Sequence, residues 1–147
     1  MWKLILLAPL AGLFGCGHDC NLMYAPDQLS IAFDPEITAQ GSWRFELSVD
    51  VYAECEVELP VPDPSNMDYT PCGGAGGVDL RFSEDGLAVT DLVIGDEAPA
   101  TVTLTVLFDG SLVYEETLTP AYDVDEPNGA GCGERYSTEV TVEVPEP

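Results

Sequence analysis

The sequence predicts an all-β protein, an antiparallel β-sandwich of about seven strands. Three observations lead to this fold class. Apolar and polar residues alternate with period two through most of residues 29–144, which is typical of half-buried strands. Valine and threonine dominate these segments, and both residues suit a pleated sheet. No stretch after residue 16 shows the 3.6-residue period of an amphipathic helix.

The predicted strands follow one another along the chain and are separated by turn signals. They cover residues 29–33, 43–59, 78–82, 87–94, 102–108, 111–118 and 136–144. The alternation over 43–59 far exceeds the usual strand of about 5–6 residues, so we expect a bend, a bulge or a split within it. Asp109-Gly110 is a strong hairpin signal. Proline and glycine predict long loops at 60–77 and 120–135.

The N-terminal segment has the features of an export signal. Lys3 precedes an apolar stretch from Leu4 to Phe14, which is followed by Gly15 and Cys16. This stretch is shorter than the roughly 20 residues that a spanning helix needs, but it suits a secretory signal peptide. The residues Leu13-Phe14-Gly15-Cys16 resemble the lipobox of bacterial lipoproteins, in which Leu and two small residues precede an invariant cysteine. Phe14 departs from that pattern, because a small residue is usual there.

The lipobox resemblance implies diacylglycerol on Cys16, cleavage before this residue and acylation of the new N-terminus. It divides the chain into a signal peptide (1–15), a lipidated tether (16–28) and a β-sandwich domain (29–147). It also places the protein in the bacterial cell envelope, attached to a membrane by lipid. Gly17 stands where the sorting rule of enteric bacteria reads Asp as an inner-membrane signal, which favours the outer membrane. The alternative is an ordinary signal peptide, or an N-terminal helix, followed by a chance cysteine.

Charge excludes some classes of partner. The chain has 27 acidic and 4 basic residues, a net charge of −23. Removal of residues 1–15 leaves three arginines, no lysine and all 27 acidic residues, a net charge of −24. Phosphate binding needs clustered Lys and Arg, so nucleic acid is excluded as a partner and charge alone does not dock the protein on anionic lipid. The hydrophobic content of 46% is too high for a disordered acidic chain.

The five cysteines fit an exported protein. Lipidation of Cys16 leaves four, which is enough for two disulfides in an oxidising compartment. Spacing leaves three connectivities open. We favour Cys55–Cys72, which would close the first long loop, together with Cys20–Cys132, which would pin the N-terminal arm to the domain. A zinc site built from the four cysteines is the competing interpretation, although the chain has no Cys-x-x-Cys pair.

The last hundred or so residues are similar to immunoglobulin- or fibronectin-type modules of bacterial surface lipoproteins. The similarity concerns the overall strand pattern and not a motif. No Trp follows Cys55 on a next strand, and no Tyr lies two residues before Cys132. The inter-sheet disulfide of immunoglobulin domains is therefore not expected.

Few side chains of the predicted domain can perform catalysis. The only histidine, His18, lies beside Cys16, and no lysine follows residue 15. Carboxylates remain, so the alternative function is a small carboxylate-dependent hydrolase of the envelope. We instead predict a protein that is not an enzyme and needs no cofactor. It would be a membrane-anchored binding or structural module, whose partner is an envelope or extracellular protein or a glycan.

Two acidic patterns are candidates for cation binding. Asp123, Asp125 and Glu126 form the densest oxygen cluster in a loop and would be the ligands of a calcium site, although the spacing of an EF-hand is absent. Three glutamates share one strand face at intervals of about 6.8 Å, too far apart to chelate one ion unaided. A solvated acidic surface is the alternative for both patterns. The glutamates of the row are Glu54, Glu56 and Glu58.

Tyrosine is the remaining candidate for a binding side chain. Packing in the core or at strand edges is the commoner role of such residues, and the alternative is a binding aromatic. The tyrosines considered are Tyr24, Tyr69, Tyr114, Tyr122 and Tyr136.

Overall fold

The structure is a computed structural model that describes residues 20, 24–48, 52–63, 71–74 and 77–147. Within these ranges the chain forms ten strands and no helix, and hence no helix that could cross a membrane. The strands are β1 (Gln28–Ile37), β2 (Gly41–Ser48), β3 (Tyr52–Leu59), β4 (Cys72–Gly74), β5 (Val78–Phe82), β6 (Val89–Gly95), β7 (Val102–Phe108), β8 (Ser111–Leu118), β9 (Asp123–Asp125) and β10 (Arg135–Val142).

The strands form two five-stranded sheets. The first sheet has the order β5-β6-β1-β10-β9, and the second has the order β4-β3-β2-β7-β8. Neighbouring strands are antiparallel except for β1 and β10, which run parallel. The predicted all-β sandwich is confirmed.

Side chains from both sheets form one apolar core. The ring of Phe33 on β1 lies 5.5 Å from the ring of Phe45 on β2, so the two sheets are in contact. Trp43 lies 4.8 Å from the ring of Phe108, and its Nε1–H donates a hydrogen bond to the carbonyl oxygen of Ala39 at 2.8 Å. Because side chains alternate across a strand, β1, β2, β3 and β7 bury alternate residues in this core, whereas the three residues of β9 are all exposed.

The long alternating segment is split into two strands, as its length predicts. Strands β2 and β3 pair antiparallel, from Gly41 opposite Leu59 to Ser48 opposite Tyr52. The apolar members of the alternation are all buried, namely Trp43, Phe45, Leu47, Ala53, Cys55, Val57 and Leu59. The expected hairpin turn at Asp109-Gly110 also forms, with positive φ angles of 47° and 79° as a type I′ turn requires.

Each predicted long loop contains a short strand. Strand β4 pairs with β3, and strand β9 pairs with β10. An alternation pattern cannot reveal strands of three residues, and Cys-Gly-Gly lacks the residue types that favour strands. Residues 64–70 and 75–76 of the first loop lie outside the described residues.

The strand order differs from that of antibody domains. In those domains the first two strands are neighbours in one sheet. Here β1 lies in the first sheet and β2 in the second. The similarity to immunoglobulin-type modules therefore concerns the two-sheet architecture and not the strand order.

Candidate functional site

Both favoured disulfides are present. Cys55 and Cys72 are directly opposed on β3 and β4, so this bond joins neighbours within one sheet. Cys20, ahead of β1, is bonded to Cys132 in the segment before β10. The zinc interpretation is therefore wrong, because all four thiols form disulfides. Cys16, the predicted lipidation site, lies outside the described residues.

The structure does not bring the three predicted calcium ligands together. Asp125 accepts two hydrogen bonds from Arg135, at 2.9 Å from Nε and 2.5 Å from Nη2. Glu126 accepts the backbone N–H of Gly131 at 2.8 Å, and Asp123 is exposed on the short strand β9. In the part of the chain that the structure describes, no three His, Cys, Asp or Glu residues are arranged to hold a metal ion.

Two glutamates of the row, together with Glu46 on β2, surround Arg44. Arg44 Nε lies 3.0 Å from Glu56 and 3.9 Å from Glu54, and its Nη1 lies 3.6 Å from Glu46. In the strand register, Arg44 is opposite Glu56, and Glu46 is opposite Glu54. The nearby carboxylates of Glu54 and Glu56 raise the pKa of Arg44. These four side chains, which we call the Arg44 face, form a charge network on the outer surface of the second sheet.

The carboxylate of Asp85 belongs to a turn. It accepts hydrogen bonds from Ser83 Oγ at 2.6 Å and from the backbone N–H of Leu87 at 3.1 Å. These bonds stabilise the ionised form and lower the pKa of Asp85. A general acid of a glycosidase needs a raised pKa, so Asp85 is unsuited to that role. The hydrolase alternative stays an untested hypothesis.

An open depression of about 600 Å³ lies at one end of the sandwich. It occupies the end at which β1 and β10 begin and β6 ends, because Gln28 is opposite both Gly95 and Ser137. We call it the tyrosine depression. Its lining residues are Asp27, Ala98, Ala100, Thr119, Pro120, Tyr122 and Tyr136.

Hydrogen bonds hold the polar groups of the tyrosine depression in place. Asp27 Oδ1 accepts the backbone N–H of Tyr136 at 2.8 Å. The hydroxyl of Tyr122 donates to the carbonyl oxygen of Pro99 at 2.9 Å, and that of Tyr136 donates to Glu134 at 2.6 Å. Burial and the charge of Asp27 raise the pKa of Tyr122. The hydrogen bond to Glu134 is the main cause of the raised pKa of Tyr136.

Two further acidic and aromatic side chains lie close to this depression. The backbone N–H of Asp96 donates to the carbonyl oxygen of Asp27 at 2.9 Å. The carboxylate of Asp96 accepts a hydrogen bond from the hydroxyl of Tyr24, a side chain that is 81% exposed. This end of the sandwich therefore combines several tyrosines with several carboxylates.

A second, polar depression of about 390 Å³ lies on the outer face of the first sheet. Its lining includes Arg135, which forms an ion pair with Asp125. Hydroxyl, amide and carboxylate groups dominate its lining, which suits water as well as a polar ligand. Its lining residues are Pro26, Gln28, Ser30, Asp123, Arg135, Ser137, Thr138 and Glu139.

Sequence reasoning named Tyr122 and Tyr136 as possible binding aromatics but did not find the tyrosine depression. The lining comes from four separate segments: the residue before β1, the turn after β6, the segment that follows β8, and the start of β10. No spacing along the chain links Asp27 to residues more than seventy positions away. The pairing of β1 with β6 and β10 brings three of these segments together, and the hydrogen bond from Tyr122 to Pro99 joins the fourth to them.

Comparison with known proteins identifies no relative of this chain. No protein-family model, no curated protein and no solved structure matches this chain.

Proposed function

We propose that this protein is an envelope lipoprotein, attached to a bacterial membrane through Cys16, that acts as a binding or structural module. The distribution of the five cysteines carries the proposal. Four form the two disulfides, which suits an oxidising compartment outside the cytoplasm. The fifth, Cys16, follows the apolar segment at the position that the lipobox pattern reserves for lipid.

Lipid would have to supply the membrane affinity. The domain is strongly acidic, so the anionic headgroups of a membrane repel it. One acyl chain gives only marginal membrane binding, whereas two or more give a stable anchor. Diacylglycerol on the thiol of Cys16 together with an acylated N-terminus would provide that number of chains.

The lipid anchor and the Cys20–Cys132 disulfide would together orient the domain. Cys20 is bonded to Cys132, close to the start of β10. Four residues of extended chain span at most about 14 Å, so the bond holds this end of the sandwich near the membrane surface. The tyrosine depression lies at the same end, and a partner that uses it would also lie close to the membrane.

The test compares two cysteine variants of the full chain by mass spectrometry and by partitioning between detergent and water. We expect the wild-type chain to begin at Cys16, to carry added lipid mass and to enter the detergent phase. Cys16→Ala should lose the lipid and the partitioning. Cys20→Ala is the matched control, because it removes a disulfide cysteine and should keep the lipid. A wild-type chain that begins elsewhere and stays in water contradicts the proposal.

The membrane to which the protein is sorted has a separate test. Gly17→Asp introduces the residue that the enteric sorting rule reads as an inner-membrane signal. In an enteric host, we expect the wild-type protein in the outer-membrane fraction and this variant in the inner-membrane fraction. Equal distribution of the two proteins would show that Gly17 does not direct sorting.

A further inference from the structure

We propose that the tyrosine depression binds a basic side chain, a lysine or arginine presented by an exposed segment of a partner protein. The inference rests on the proposed function of a binding module and specifies the chemistry of its partner. Four features of the depression support it: aromatic groups, a carboxylate, an apolar floor and the absence of a described cation.

The lining matches the two parts of a long basic side chain. Tyrosine rings attract a cation through their quadrupole, and the carboxylate of Asp27 adds a full negative charge. Ala98, Ala100 and Pro120 offer apolar contact to the methylene groups of the stem. Lysine and arginine are the side chains that combine an apolar stem with a charged end.

The described cations are engaged elsewhere. Arg44 pairs with the glutamates of its own face, Arg81 pairs with Asp91, and Arg135 pairs with Asp125. Asp27 accepts a backbone N–H but has no ion-pair partner among the described residues. The net charge of −23 raises the local concentration of positively charged partners and steers them to the surface.

The depression is organised before a ligand arrives. The hydroxyl groups of Tyr122 and Tyr136 are held by Pro99 and Glu134. Binding therefore requires less ordering of side chains than a site with unconstrained rings would need.

A choline headgroup is the other cation that an aromatic site near a membrane could bind. It carries a phosphate beside its ammonium group, and the carboxylates of Asp96 and Glu134 next to the depression would repel that phosphate. No arginine is among the described residues that line the depression, so nothing described there offsets this repulsion. Charge therefore favours a lysine or arginine side chain over a lipid headgroup.

The test is an NMR titration of the ¹⁵N-labelled full chain in maltoside detergent. This detergent has no cationic headgroup that could compete with the probes. The probes are Nα-acetyl-lysine methylamide, its uncharged norleucine counterpart and phosphocholine. We expect the lysine probe to shift the amide signals of Asp27, Ala98, Thr119 and Tyr136 in a saturable manner. Norleucine and phosphocholine should give no saturable shift. Added NaCl should weaken lysine binding.

Two pairs of variants separate the depression from general attraction between charges. Asp27→Asn removes the charge, while its amide oxygen can still accept the N–H of Tyr136. Its control is Glu58→Gln, an equal change of charge on the second sheet. Tyr136→Ala removes a lining ring, and its control is Tyr52→Ala, which removes an exposed tyrosine from β3. Each lining variant should weaken lysine binding about fivefold, and each control less than about twofold.

Several results would overturn the inference. Equal binding of norleucine would mean that the depression selects apolar groups only. Equal weakening by Asp27→Asn and Glu58→Gln would mean that total charge, and no particular site, attracts the probe. Saturable binding of phosphocholine without lysine binding would assign the depression to a lipid headgroup.

The outcomes also separate this inference from the proposed anchor. If lysine does not bind while Cys16 carries lipid, the inference fails and the anchored module stands. If lysine binds a chain that begins elsewhere and stays in water, the anchor fails and the binding site stands.

Discussion

Removal of the charge on Arg44 should destabilise the fold more than removal of any charge with a single partner. Arg44 has three carboxylates within 4 Å, and Arg44→Gln leaves Glu46 directly opposite Glu54 with no cation between them. Like charges at directly opposed positions destabilise a sheet. Arg81→Gln is the matched control, because Arg81 lies 3.6 Å from the single carboxylate of Asp91.

The expected size of the effect follows from exposure. The side chain of Arg44 is 43% exposed, so each contact is screened by water and is worth about 0.2–1 kcal/mol. Three such contacts and the exposed like-charge pair predict a loss of about 1–2 kcal/mol in the free energy of unfolding for Arg44→Gln. The side chain of Arg81 is 54% exposed, but that of its partner Asp91 is only 19% exposed, so loss of this single pair predicts about 0.5–1 kcal/mol.

Urea unfolding is the appropriate assay, because urea is uncharged and leaves the ionic strength unchanged. The difference between Arg44→Gln and wild type should shrink by about half in 1 M NaCl, where the Debye length is about 3 Å. Adding Glu54→Gln to Arg44→Gln should recover part of the loss, since it removes one of the repelling carboxylates. The electrostatic explanation would be refuted if Arg44→Gln and Arg81→Gln lost equal free energy of unfolding. It would also be refuted if salt did not change the loss in Arg44→Gln.

Three further predictions concern pH, ions and disulfides. A hydrogen bond to a glutamate raises the pKa of Tyr52 to about 12, and burial raises that of Tyr114, so the fold favours the protonated phenols. These two tyrosines stabilise the fold fully below the ordinary tyrosine pKa of 10.0, and the stabilisation is lost as the pH rises above it. Between pH 9 and 12 the melting temperature should therefore fall less in Tyr52→Phe and Tyr114→Phe than in the wild type. Calcium and magnesium should raise the melting temperature equally at matched ionic strength, because Asp125 is paired with an arginine; a calcium-only shift that Asp125→Asn abolishes would instead establish a calcium site. Replacement of both Cys20 and Cys132 by alanine should lower the free energy of unfolding by up to about 4–5 kcal/mol, since the bond closes a loop of 112 residues, and a loss below about 1 kcal/mol in urea would contradict this.

Local pattern was sufficient to predict the class of fold and most of its strands. Alternation along residues 43–59 identified which side chains enter the core, because side-chain direction in a strand depends on local geometry alone. Asp109-Gly110 identified a hairpin for the same reason, since both residues tolerate positive φ. The pairing of the cysteines was chosen from the placement of the predicted loops, and the structure confirms it.

Long-range pairing decided what the local pattern left open. The glutamates at 54 and 56 formed an acidic row in the sequence, and the register of β2 against β3 places Arg44 among them. Asp125 is a candidate calcium ligand in the sequence, and the pairing of β9 with β10 places Arg135 opposite it. In both cases the sequence shows a charge but not its partner, because the partner lies on another strand.

The tyrosine depression depends most completely on the tertiary structure. The sequence by itself determined an acidic all-β chain with five cysteines. The sheet order then placed Asp27, Tyr122 and Tyr136 at one end of the sandwich. Binding residues can be recognised from a sequence only when they lie close together along the chain. These residues come from separate strand ends, and only the packed sheets bring them together.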